Sequence, residues 1–302
     1  MRYRVEGILT ALLTPLTKNN DLCTECIKAM IEFQISKGVN ALFLTGTYGE
    51  GVILSNAVKE KVYRYAIEFS NNRLSLLPHV GGADIESIAN LAKAAKDLGY
   101  RVVSVVGPIY HKPTKKGLVE FFSYIASKAD VDIVIYNNKG RQGYNISPDD
   151  FEYISRELSA VVGIKDTSYD IEQMIEYVKR FGSSYFIGGA GDNFLYVTFA
   201  IGMSAHICGI SNVFPEIAVE LYKAVKSGDH SKAIELQYKI VRVRRILARF
   251  GLETQELLRE VLRFRGIDSG YPPIQMREGL NNKQVEELRK SLESIVGEYF
   301  IV

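Results

Sequence analysis

Cysteine is scarce in this 302-residue chain: Cys23, Cys26 and Cys208 are the only three. That number cannot build a disulfide framework, and an odd, low count fits a reducing cytoplasm. Surplus charge is missing as well. The 37 Lys and Arg residues against 35 Asp and Glu leave a formal net charge of +2, which argues against nucleic acid as a partner. No stretch reaches the roughly 18 consecutive apolar residues of a membrane span. The opening MRYRVEGILTALLTPLT is broken by Thr10, Thr14 and Pro15 and reads as a first strand, not a signal peptide. There is no Gly-x-Gly-x-x-Gly after that strand, which weakens a dinucleotide-binding sheet. Low-complexity segments are absent too. With 47% hydrophobic and 24% charged residues, disorder is excluded, and the chain is long enough to bury a large core.

What is present is alternation. Apolar runs fall at 7–14, 39–46, 74–82, 101–107, 131–137, 160–165, 184–190 and 203–210. Continuous runs of this kind suit parallel strands buried on both faces. Between them lie helical segments with recognisable ends: Asp21 and Gly38 around a first helix, Ser55, Asp84 and Asp170 as starts, and Ser147-Pro148-Asp149-Asp150. Eight strand–helix units without a Pro/Gly-rich linker predict an α/β protein, a closed (β/α)8 TIM barrel. Past residue 228 the pattern is purely helical, at 231–250, 254–264 and 282–296. The expected organisation is a catalytic barrel over 1–228 and a helical extension over 229–302 packed on it.

In such a barrel the chemistry sits at the C-terminal ends of the strands. Lys165 ends the run 160–165. In a partly desolvated mouth its ammonium form is disfavoured, and a neutral amine can attack a carbonyl to form a Schiff base. The plainer reading is a solvent lysine ending a strand. Tyr136 ends the neighbouring run and could carry protons; a buried ring with a wet hydroxyl explains it equally. The turn Gly46-Thr47-Tyr48-Gly49 could offer backbone N–H groups to a carboxylate, or simply join a strand to a helix.

The chain resembles the dihydrodipicolinate synthase/N-acetylneuraminate lyase family of pyruvate-dependent class I aldolases. The resemblance runs over essentially its whole length. It is carried by Thr14-Pro15, Gly46-Thr47-Tyr48-Gly49-Glu50, Pro108-Ile109-Tyr110, Tyr136-Asn137 and Gly163-Ile164-Lys165-Asp166. It implies that Lys165 binds pyruvate as a Schiff base and that Tyr136 relays protons. It implies that Thr47 hydrogen-bonds Tyr136, and that Gly46, Thr47 and Tyr48 hold the pyruvate carboxylate. The backbone of Ile210 would line the pyruvate pocket, and Tyr110 would reach a neighbouring subunit's site in a homotetramer. Two positions depart from the pattern: Tyr48 replaces a threonine, and Ile109 replaces a tyrosine.

For the second substrate, Arg141 matches an arginine that synthases use for a carboxylate. Gly266-Ile267-Asp268-Ser269-Gly270-Tyr271-Pro272-Pro273 and Asp166 after the lysine look like the archaeal 2-keto-3-deoxygluconate aldolases. The favoured expectation is therefore cleavage of a 2-keto-3-deoxy sugar acid to pyruvate and an aldehyde, with no cofactor. The alternatives are condensation of pyruvate with aspartate semialdehyde, and a 2-keto acid binding protein without turnover. His79, His111, His206 and His230 are scattered, so no metal site is expected. Cys23-x-x-Cys26 has no second Cys/His pair nearby and is set aside. The arginines at 242, 244, 245 and 249 read as a solvated or subunit-contact helix face, with sugar-phosphate binding as the alternative, remote from the mouth.

Overall fold

The computed structural model describes residues 3–301. Eight strands alternate with helices: β1 (Gly7–Ala11), α1 (Thr24–Ser36), β2 (Ala41–Leu44), α2 (Asn56–Ser70), β3 (Ser75–Pro78), α3 (Ile85–Asp97), β4 (Val102–Val106), α4 (Lys115–Ala129) and β5 (Asp132–Asn137). The chain continues through α5 (Lys139–Gln142), α6 (Pro148–Glu157), β6 (Val161–Asp166), α7 (Ile171–Phe181), β7 (Phe186–Ala190), α8 (Leu195–Ala200), β8 (Ala205–Cys208) and α9 (Pro215–Lys226). Three helices follow: α10 (His230–Leu247), α11 (Thr254–Phe264) and α12 (Asn282–Val296).

The strands are parallel and run in the order β3-β2-β1-β8-β7-β6-β5-β4. The seam between β3 and β4 closes at a single bridge, His79 to Ser104, where the Val80 N–H donates to the Ser104 carbonyl at 2.9 Å. This is the (β/α)8 barrel the alternation predicts. Every strand residue faces either the lumen or the helical shell, which explains the unbroken apolar runs. Leu9, Phe43, Val134, Tyr136, Val162, Phe186 and Ile207 share the inner core, and a larger layer fills the space under the helices.

The helix starts obey their local signals. Ser55, Asp84 and Asp170 accept from the N–H three residues on, and Ser147 with Asp150 forms a reciprocal capping box. Asp21 is the exception. Helix α1 begins after Cys23, whose side chain makes no cap, while Asp21 pairs with Lys61 at 2.7 Å. Gly38 closes α1 with φ 76°, a left-handed conformation that glycine adopts freely. Cys23 and Cys26 are joined in a disulfide, a single bridge that the expectation of a reducing cytoplasm does not include; Cys208 is free and buried.

Candidate active site

Strand parity alone would aim Lys165 the wrong way. Val162 faces the lumen, and with strict alternation Ile164 would follow it inward. Between β5 and β6 the pairing jumps from Ile133–Val161 to Val134–Gly163, which leaves Val162 as an extra residue. That bulge shifts the phase by one, so Lys165 turns into the barrel beside Tyr136, its direct pairing partner. Gly163 makes the bulge possible, because a Cβ there would stand 2.4 Å from the Phe186 carbonyl oxygen.

Lys165 is 3% exposed. Its Nζ lies 3.7 Å from the centre of the Tyr136 ring and 4.0 Å from that of Phe43. Burial holds its pKa well below the usual lysine range, since nothing ionic compensates the lost hydration. Gly46 belongs to the same packing: a Cβ on it would come within 2.2 Å of Phe43, the ring beneath the amine.

The Tyr136 hydroxyl stands 3.2 Å from Thr47 Oγ1 and accepts from Asn138 Nδ2 at 2.8 Å. Asn138 Nδ2 also reaches Thr47 Oγ1 at 3.3 Å. Burial pushes the Tyr136 pKa up, and the hydrogen bonds from Thr47 and Asn138 work against that rise. The phenol is thus protonated at neutral pH and held by two polar neighbours, a group able to give and take back a proton. His79 packs edge-on against the Tyr136 ring, 5.4 Å between centres. Burial pushes His79 down to about 3, so it sits there neutral.

The turn after β2 is held from both sides. Thr45 takes φ 52°, and its Oγ1 donates to the His79 carbonyl at 2.8 Å. Glu50, at φ 57°, receives both guanidinium nitrogens of Arg259 at 2.7 Å in a fully buried pair. Arg259 also donates to the Thr14 carbonyl, and Gln255 Nε2 donates to the Thr47 carbonyl at 3.2 Å. Helix α11 therefore fixes the loop that carries Thr47 and Tyr48. Among the described residues, no acceptor takes the N–H of Thr47 or Tyr48.

These groups open into a cavity of about 400 Å³ lined by Thr47, Tyr48, Tyr136, Arg141, Lys165 and Arg244, among others. A second lobe lies over Tyr136, His79 and Ile109. The structure brings Lys165, Tyr136, Thr47, Tyr48 and Arg141 to one mouth. Arg141 is largely exposed and faces Glu253 at 3.4 Å. Tyr48 turns across the opening onto Gly209, where a Cβ would meet its ring at 2.3 Å. Tyr110 is 90% exposed with φ 76° and lines neither lobe.

The Ile210 side chain is not brought to the mouth, and Gly209, one residue before it, lines the cavity. Ile210 is buried in the outer layer, its N–H held by Asp192 at 3.0 Å, and Ile207 lines the cavity instead. The β8 run predicted at 203–210 ends at Cys208, so the last inward residue comes three positions earlier. Arg244, expected to be remote, stands on the cavity wall, because α10 packs against the turn after β7, where Gln237 Nε2 donates to the Asp192 carbonyl at 3.0 Å. Asn138 directly follows β5 and Asp192 comes two residues after β7, and that placement is the signal that could find them in the sequence.

The Dihydrodipicolinate synthetase family model matches residues 4–295. The chain belongs to this family. Its members make or break carbon–carbon bonds through a Schiff base, and the chain is a lyase of that kind. A 4-hydroxy-tetrahydrodipicolinate synthase of Thermotoga sp. (strain RQ2) is 33% identical over 237 residues, 78% of this chain and 80% of that protein. The Aquifex aeolicus protein of the same name is 31% identical over 233 residues, 77% and 79% of the two chains. The solved dihydrodipicolinate synthase from Aquifex aeolicus superimposes with TM-score 0.87 at 27% identity, covering 96% of this chain and 97% of that one. Proteus mirabilis N-acetylneuraminate lyase gives TM-score 0.90 at 23% identity over 97% and 99%, a likeness of fold. No helix among the described residues is long and apolar enough to cross a membrane.

Proposed function

We propose that Lys165 is the Schiff-base nucleophile of a pyruvate-dependent aldolase that cleaves a 2-keto-3-deoxy sugar acid, such as 2-keto-3-deoxygluconate, to pyruvate and an aldehyde. The carrying observation is an amine 3% exposed and 3.7 Å from the Tyr136 ring centre, in a wall that also holds Thr47. Neutral Lys165 attacks the keto carbon, and loss of water gives an iminium ion. Tyr136, positioned by Thr47 and Asn138, gives its proton to the hydroxyl that departs as that water and, now a phenolate, takes the proton of the C4 hydroxyl. The C3–C4 electron pair flows into the iminium, giving an enamine and a free aldehyde. Protonation of the enamine and hydrolysis release pyruvate and restore the amine. The substrate carboxylate rests on the N–H groups of the turn from Gly46 to Tyr48.

The polar wall of Tyr48, Tyr169, Asp192, Asn193 and Arg244 supports a hydroxylated tail, as does the sequence likeness to the sugar-acid aldolases. The synthase reading, condensation of pyruvate with aspartate semialdehyde, is favoured by the names of the relatives above and by Arg141 at the rim. A binding protein without turnover would have no use for Tyr136 held beside a neutral amine. Exposed Tyr110 belongs to a subunit contact in a homotetramer on this reading; Tyr110→Ala should sediment as a smaller species.

Trapping with pyruvate and borohydride tests the chemistry. One pyruvate-sized adduct on Lys165 is expected, and an adduct that survives Lys165→Arg defeats the proposal. Parallel assays of 2-keto-3-deoxygluconate cleavage and of condensation with aspartate semialdehyde then choose between the two reactions.

A further inference from the structure

Behind the mouth, on the far side of β8, two side chains that the chemistry above does not use converge on Asp192, which also lines the cavity. Ala205 and Ile207 face the lumen, so the intervening His206 and the following Cys208 face the helical shell. There they meet Asp192, which follows β7. A ligand atom from each of the three lies within 4.8 Å of the other two, and all three residues are buried.

The cluster is incompletely satisfied. His206 Nε2 and Asp192 Oδ2 are buried without a hydrogen-bond partner. Such orphans cost on the order of 1–3 kcal/mol each, and Asp192 Oδ2 has the Arg244 guanidinium beside it, 3.6 Å away. Their other atoms are already oriented. His206 Nδ1 lies 2.9 Å from Thr198 Oγ1 on α8. Asp192 Oδ1 accepts from Gly209 N at 2.8 Å and Ile210 N at 3.0 Å, with Cys208 Sγ at 3.5 Å. In the tautomer that donates from Nδ1 to Thr198, Nε2 presents a free lone pair, the arrangement metal ligands adopt.

We propose that Asp192, His206 and Cys208 bind one zinc ion behind β8. One thiolate, one imidazole and one carboxylate form a donor set for zinc rather than for calcium or magnesium, which prefer oxygen alone. Zinc takes bonds of roughly 2.0–2.3 Å, so the cluster closes by side-chain movements of about 1 Å. Binding displaces the Cys208 thiol proton to solvent, and the thiolate becomes the ligand. The second carboxylate oxygen or a water completes four-coordination. Arg244 is the competing cation. Its Nε stands 3.6 Å from Asp192 Oδ2, beyond hydrogen-bond reach, and its side chain is 25% exposed, so solvent can take it when the metal enters. The ion touches no substrate; it braces Asp192, and through it the β8 turn whose Ile207 and Gly209 line the cavity.

The test uses the full chain, stripped with a chelator, dialysed and titrated with Zn²⁺ or Co²⁺. One metal per chain by elemental analysis is expected, with a higher Tm on zinc binding and a thiolate-to-cobalt charge-transfer band in the near ultraviolet. Cys208→Ser should abolish the band, whereas Cys23→Ser/Cys26→Ser should keep it. If Cys208→Ser does not fold, His206→Gln and zinc protection of Cys208 from a thiol reagent in the unmutated protein serve instead. Trace metal at saturation, a band that survives Cys208→Ser, or one lost only with Cys23 and Cys26 overturns the site.

Discussion

At the scale of single residues, the lysine exerts opposite effects on stability and on chemistry. Its native pKa lies well below the usual lysine value, whereas in the unfolded chain it is about 10.4. Between those two values the unfolded state holds the extra proton, so this residue makes stability rise with pH across that window. Lys165→Met should therefore have the higher Tm at pH 7, and the difference should shrink as pH approaches 10. A gap independent of pH would mean that the amine is charged in the folded protein. Tyr136→Phe removes the proton relay and leaves the ring under the amine. We expect kcat to fall by about 10²–10⁴-fold while borohydride trapping still labels Lys165. Asn138→Leu, which removes one of the two groups holding the hydroxyl, should lower kcat less. Lys165 and Tyr136 were legible because each ends an apolar run. Asn138 was not, because its contribution appears only once the chain folds back over the strand end.

Among the elements, β6 shows where a pattern reading stops. The eight apolar runs announce eight strands, and their spacing announces the barrel. The phase inside a strand is another matter, because a continuously apolar run carries no alternation to read. The extra residue at Val162 decides whether Lys165 faces the lumen or the shell, and only the jump in pairing reveals it. Gly163→Ala tests this element. A methyl group placed 2.4 Å from the Phe186 carbonyl must push β6 away from β7. A cost of about 1–3 kcal/mol, typical of overpacking, should appear in urea unfolding. Imine formation should fall with it, because the same displacement rotates Lys165. The end of β8 is blurred for a related reason: Ile210 is as apolar as Ile207, so the run over 203–210 does not show that the strand stops at Cys208.

For the molecule as a whole, the question is whether the barrel is a unit without its last helices. The change of pattern near residue 228 suggests a catalytic barrel and an appendage. The contacts of α11 argue that the appendage holds the site together. Arg259 supplies both partners of the buried Glu50 carboxylate, and Gln255 holds the Thr47 carbonyl. A break in that pair leaves a charge in the interior. Arg259→Met should cost about 3–5 kcal/mol, and Arg259→Met/Glu50→Leu should recover most of it in urea unfolding. The double variant should still work poorly, since the turn with Thr47 and Tyr48 loses its anchor to α11. Chain 1–228, which lacks every one of these contacts, should fail to form the pyruvate adduct even where circular dichroism shows helices and strands. An adduct formed at the full chain's rate would mean that the eight strand–helix units alone suffice to hold the turn after β2.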